Sequence, residues 1–221
     1  MRGAPASFFK ALRQLCDEHG LLLAFDEVQT GMGRCGDLFS YRRLGVTPDI
    51  MSLAKALGGG FPIGAVLAST DAAKGMAPGS HGSTFGGNPL AVAAANAVLD
   101  VMLKPGFFDH VQKMSLLLKQ KLASVVDRYP SVLAEVRGEG LLIGVDFVSA
   151  EAATEFLIGL LDQHVIPSYS LNSSNVLRLT PPAILDAADL DWLAGALTAA
   201  AKHVCRVMPA APHPFLPNCA L

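Results

Sequence analysis

Charge is scarce in this sequence. Only 16% of its 221 residues are Asp, Glu, Lys or Arg, and 17 basic against 19 acidic side chains leave a net charge of -2. Interspersed charges that nearly cancel give no long-range field to gather nucleic acid or anionic lipid. Cysteine is also sparse: Cys16, Cys35, Cys205 and Cys219 form no CxxC pair and have no histidine at ligand spacing, so neither a zinc site nor a disulfide framework is suggested. No stretch reaches the roughly 18 uninterrupted apolar residues of a membrane span. Met1 to Lys10 lacks a basic segment followed by an apolar run, so no secretion signal is read there. These absences point to small-molecule chemistry in the cytoplasm. What is abundant is apolar surface: 51% hydrophobic residues suffice for a core without metal or cross-links.

Periodicity predicts an α/β organisation. Ser7 to His19 places Phe8, Leu12 and Leu15 on one helical face, with Gly20 where a C-terminal cap belongs. Leu21 to Phe25 is a short apolar run of the kind buried on both faces of a mostly parallel sheet, and Asp26 stands at its end, where open α/β sheets gather ligands. Ile50 to Leu53 and Ile63 to Ala68 read as neighbouring strands. The Ala-rich segment Pro89 to Leu103 reads as a helix, and Pro105-Gly106 as a hinge and domain boundary. Beyond the hinge come a helix from Phe107 to about Arg128, a strand Leu141 to Val148, a helix Ala150 to Gln163, a strand Val176 to Leu179 and a helix Asp189 to Val204, together a small α+β unit. The Pro-rich tail from Met208 on carries no periodicity and is expected to be loose. There is no internal repeat.

Three segments carry candidate chemistry. The first is Asp26-Glu27-Val28-Gln29-Thr30-Gly31, and the second is Ser52-Leu53-Ala54-Lys55-Ala56-Leu57-Gly58-Gly59-Gly60. The third is His81-Gly82-Ser83-Thr84-Phe85-Gly86-Gly87-Asn88-Pro89. As bare types, a carboxylate and a lysine after neighbouring strands could share a cleft, or could be a turn cap and a surface lysine. Arg178, alone in the apolar run Val176-Leu177-Arg178-Leu179, needs an anionic partner: a ligand carboxylate gripped by the planar fork, or an internal Glu such as Glu139.

Together and in this order, the three segments resemble class III pyridoxal-phosphate-dependent aminotransferases, best the acetylornithine, ornithine and putrescine group, from about Gly3 to His203. The resemblance implies a fold type I large domain, of which residues 1–104 are the C-terminal part, a small α+β domain at 105–207 and a tail at 208–221. It implies pyridoxal 5'-phosphate as cofactor and no metal. Lys55 would hold the cofactor aldehyde as a Schiff base and shuttle the proton, and Asp26 would pair with the pyridine nitrogen. Gln29 would donate to the ring's phenolic oxygen, and Val28 would pack on the ring unless it is simply core. Thr84 would bind the phosphate of a neighbouring subunit, implying a homodimer, although a helix cap ahead of Pro89 is the other role open to it. Arg178 would bind the substrate carboxylate, including that of 2-oxoglutarate.

In the family these segments follow an N-terminal half that supplies a phosphate loop, a ring-stacking aromatic and a Gly-Glu-Gly-Gly segment. Met1-Arg2-Gly3 resembles the residues just after that segment. The chain is therefore expected to begin in mid-domain, as a fragment or a gene start placed at an internal Met, and to be inactive alone. His81 to Asn88 resembles the acetylornithine enzymes, whereas Ile166 to Pro182 is closer to the putrescine enzymes. The activity implied is transfer of an amino group from an ornithine-like or diamine donor to 2-oxoglutarate. A decarboxylase or aminomutase of the same class, or a truncated homologue that only dimerises, are the alternatives.

Overall fold

The computed structural model describes residues 3–209, so the end of the expected tail, from residue 210, lies outside the described residues, as do Met1 and Arg2. The chain divides into two compact parts, Ala4–His110 and the part from Val111 on.

The first part opens with helix α1 (Ala6–His19), closed by Gly20 in the left-handed region (φ 63°), whose N–H reaches the Cys16 carbonyl. That is the cap expected of it. The buried side of α1 is displaced from the expected stripe: Cys16 is buried and Phe9 packs edge-on against Phe25, while Phe8 and Leu15 are exposed. Arg13 explains the displacement. Its guanidinium bonds Asp49 at 2.7 Å and fixes which side of the helix faces the sheet. The Leu23 N–H and then Arg13 hold the Asp49 carboxyl below the usual carboxylate range, so this anchor is intact at neutral pH and is lost as pH falls through the lowered value.

Strand β1 is short (Ala24–Asp26), and its run is not buried on both faces: Leu21 and Leu22 lie outside it and are more than half exposed, and Ala24 is exposed too. The single turn α2 (Tyr41–Leu44) leads to β2 (Ile50–Leu53), which pairs parallel with β1. Strand β3 (Ala65–Ala68) runs antiparallel to β2, so these three strands, ordered β1-β2-β3, hold one parallel and one antiparallel pair. A parallel return needs a crossover of roughly a dozen residues or more, usually a helix, and only one 3-10 turn (Lys55–Gly58) lies between these strands. The one-turn α3 (Thr70–Ala73) and helix α4 (Pro89–Met102) follow. Met32, Met51, Leu53, Leu57, Ala95 and Met102 form the core of this part, with Phe107 and Phe108 against it.

Helix α5 (Phe107–Arg128) continues into the second part, burying Val111, Met114, Leu118, Leu122 and Val125 at helical spacing. Strands β4 (Leu133–Glu139), β5 (Leu142–Phe147), β6 (Ser168–Ser170) and β7 (Ser173–Leu179) form an antiparallel sheet ordered β4-β5-β7-β6. Helix α6 (Ala150–Asp162), capped by Ser149, lies between β5 and β6 in the chain. Helix α7 (Ala187–Val207) begins with a reciprocal capping box between Asp186 and Asp189. Phe147 and Phe156 pack with ring centroids 4.8 Å apart, and Leu118, Ile143, Leu160, Leu177, Leu190 and Leu197 are fully buried too.

Candidate active site

Because β1 and β2 are parallel, their carboxyl ends lie at the same edge of the sheet, and the chemistry-bearing residues leave from there. Asp26 is the last residue of β1. It is exposed, and its Oδ1 accepts the Val28 N–H at 2.9 Å and the Ser52 hydroxyl at 3.3 Å. The turn beyond carries Val28 and Gln29, both half-buried. It is braced by Glu27, which is only 2% exposed. One carboxylate oxygen of Glu27 accepts the Thr30 hydroxyl at 2.7 Å and the other the Tyr41 N–H at 2.8 Å. A buried charge is tolerable only with such partners. Nearby, burial lowers the Arg34 guanidinium from its ordinary value.

Lys55 opens the 3-10 turn after β2 with φ 49°, a left-handed backbone that costs a non-glycine residue on the order of 1–3 kcal/mol and gathers at functional sites. Lys55 is exposed, because the end of β2 sends Leu53 and the turn sends Leu57 into the core and leaves the lysine outside. Its amine has no partner among the described residues. The turn itself is tight, since a Cβ on Gly58 would stand 2.8 Å from Ile63 Cγ2.

Thr84 starts an exposed turn ahead of α4. It is not the helix cap: the Asn88 side chain accepts the Ala91 N–H at 2.9 Å and fills that role. The Thr84 hydroxyl has no partner among the described residues.

Arg178 belongs to the second part of the chain. On β7 it is half-buried, and its Nε–H donates to the Tyr169 carbonyl of β6 at 3.2 Å. It lines a cavity of about 390 Å³ with Ile166, Pro181, Pro182, Asp189 and Trp192.

The first part thus brings Asp26, Val28, Gln29 and Lys55 to one sheet edge, through strand register and two turns. Two residues inside the motifs, Ser52 and Glu27, are given no role by the motif reading. Ser52 and Glu27 act through hydrogen bonds to the site's backbone and side chains; their signal was a lone hydroxyl in an apolar strand and a second carboxylate directly after one. The donor set fits pyridoxal phosphate in kind: an unpartnered amine for an aldehyde, a carboxylate oxygen for a protonated ring nitrogen and a free hydroxyl for a phosphate oxygen. Among the described residues no group of three or more His, Cys, Asp and Glu is placed to hold a metal ion, and no single helix is long and apolar enough to cross a membrane.

Residues 1–201 match the family described as aminotransferase class-III. Acetylornithine aminotransferase 1 of Bradyrhizobium diazoefficiens is 66% identical over 204 residues, which cover 92% of this chain and 49% of that protein. The acetylornithine aminotransferase of Brucella melitensis is 53% identical over 83% of this chain and 45% of its own length. Among solved structures, N-acetylornithine aminotransferase from Stenotrophomonas maltophilia superposes with a TM-score of 0.82 at 33% identity, over 94% of this chain and 54% of that one. Plasmodium falciparum ornithine delta-aminotransferase gives 0.81 at 34% identity, over 89% of this chain and 51% of that one. The chain spans about half the length of the curated relatives it matches.

Proposed function

The chain belongs to the class-III aminotransferases, a family of pyridoxal-phosphate enzymes, and from that premise we propose that the full-length protein moves an amino group from N-acetylornithine, or a related ornithine-like or diamine donor, to 2-oxoglutarate. The observation that carries the reading is the position of Asp26 and Lys55, one ending β1 and the other following β2, at the carboxyl edge of two parallel neighbours. N-acetylornithine is favoured as donor because the relatives at 66% and 53% identity are named for it.

The cofactor, when bound, supplies an aldehyde with which amines condense and a protonated ring that withdraws the electrons left by a departing proton. The protein's own residues do the rest. Lys55 Nζ, without a competing partner among the described residues, holds the cofactor and then carries the α-proton. Asp26 holds the proton of the ring nitrogen. Gln29 donates to the phenolic oxygen, and Val28 packs on the ring face. Thr84 donates its hydroxyl to the phosphate across a two-fold dimer, which gives a purpose to an exposed threonine with no partner among the described residues. Arg178 grips the substrate and acceptor carboxylates with its planar guanidinium. The protein works in the cytoplasm.

The test is glutamate formation by the full-length protein with 2-oxoglutarate and, in turn, N-acetylornithine, ornithine and putrescine. The highest kcat/KM is expected with N-acetylornithine, and residues 1–221 alone should turn over none of them. Absence of glutamate from every donor overturns the proposal.

A further inference from the structure

We infer that Ser52 is a positioning residue for Asp26, fixing one carboxylate oxygen so that the other is presented to the cofactor ring. This rests on the reading of Asp26 and Lys55 given above. Strand register sets Asp26 beside Ser52 in the parallel pair. The Ser52 hydroxyl donates to Asp26 Oδ1 at 3.3 Å, and the same oxygen accepts the Val28 N–H at 2.9 Å. A carboxylate oxygen has about two lone-pair sites, so these donors fill Oδ1 and stop the group from rotating. Oδ2 has no partner among the described residues and is the acceptor left for a protonated ring nitrogen.

Ser52 acts twice. Its carbonyl accepts the Glu27 N–H at 3.0 Å, tying down the first residue of the turn after Asp26, while its side chain holds Asp26 itself. The Val28 contact is backbone and comes with the turn, whereas the hydroxyl is a choice of side chain. In Ile50-Met51-Ser52-Leu53 the other three residues are apolar, and a fourth would suit the strand's packing at least as well.

The full-length S52A, S52T, D26N and K55A proteins are compared by titrating apoprotein with pyridoxal phosphate and by circular dichroism of the bound cofactor's visible band, which reports how firmly the ring is held in one orientation. S52A should bind the cofactor about three- to tenfold more weakly, roughly 0.65–1.4 kcal/mol, with a smaller dichroic band and an unchanged thermal midpoint of the apoprotein. S52T should restore both signals. Wild-type affinity and dichroism in S52A, beside losses in D26N and K55A, overturn the inference and leave the site reading standing. A loss in S52A that comes with a lowered apoprotein midpoint and is not restored by S52T makes Ser52 structural, which also overturns it. Cofactor signals unaltered in both D26N and K55A bring down the reading beneath it, and the inference with it.

Discussion

The segment Ala4–His110 and the segment from Val111 on bury their apolar residues very differently. In the second, the fully buried set includes Tyr129, Phe147, Phe156, Leu118, Leu122, Leu160, Leu190 and Leu197. In the first, the core is a modest cluster around Met51, Leu53 and Met102; both segments leave large apolar side chains more than half exposed, Leu21, Leu22, Val66, Phe85 and Leu90 in the first and Ile166, Leu171 and Ile184 in the second. The first segment, with its three-stranded sheet, nonetheless bears most of the candidate chemistry. The relatives have about as much chain again with which to cover such surface. The difference teaches that a site built on turns can be specified by a segment whose own packing is thin, whereas a core cannot.

The contrast can be broken most sharply at Lys55. In the full-length protein, Lys55→Ala should lower turnover on the order of 10⁴-fold, and borohydride treatment should leave no cofactor mass on the protein. Covalently fixed cofactor in that variant would move the attachment to another lysine.

Next in size is stability. Phe156→Ala empties a fully buried position and should cost about 3–5 kcal/mol, whereas Leu22→Ala, on an exposed residue, should stay within about 0.5 kcal/mol if nothing covers it. Urea denaturation of the full-length protein reads both. A large cost at Leu22 would sharpen the comparison, by showing that further chain buries the exposed face.

Smallest is Arg178→Lys, the one candidate site residue in the well-packed segment. A point charge cannot reproduce the fork, so the KM for 2-oxoglutarate should rise by about 1.5–3 kcal/mol, on the order of ten- to a hundredfold, with cofactor retained. Unchanged kinetics would assign Arg178 to a structural role on β6 and β7.

Legibility in the sequence followed the range of the forces involved. Helices α4 and α5 fall within a residue of their expected bounds, because an apolar period, a Pro at the start and a Pro-Gly stop are all local signals. Strand β4 went unread: Glu135, Arg137, Gly138 and Glu139 look like a loop, and only pairing with β5, with Arg137 bound to Asp146, makes them a strand. Strand β6, three residues long, leaves no pattern to find. At the candidate site the motif residues were legible by resemblance, but the roles of Ser52 and Glu27 were not.

The sequence by itself determined the long helices, the family and the residue types that carry the chemistry, since these follow from local periodicity and from motifs contiguous in the chain. Only the tertiary structure decided that Asp26 lies opposite Ser52, that β3 turns back antiparallel, that Lys55 takes a left-handed backbone and points to solvent, and that Asn88 rather than Thr84 caps α4. Register, strand direction and exposure depend on which distant segments meet, and no local pattern encodes a meeting between residues that far apart in the chain.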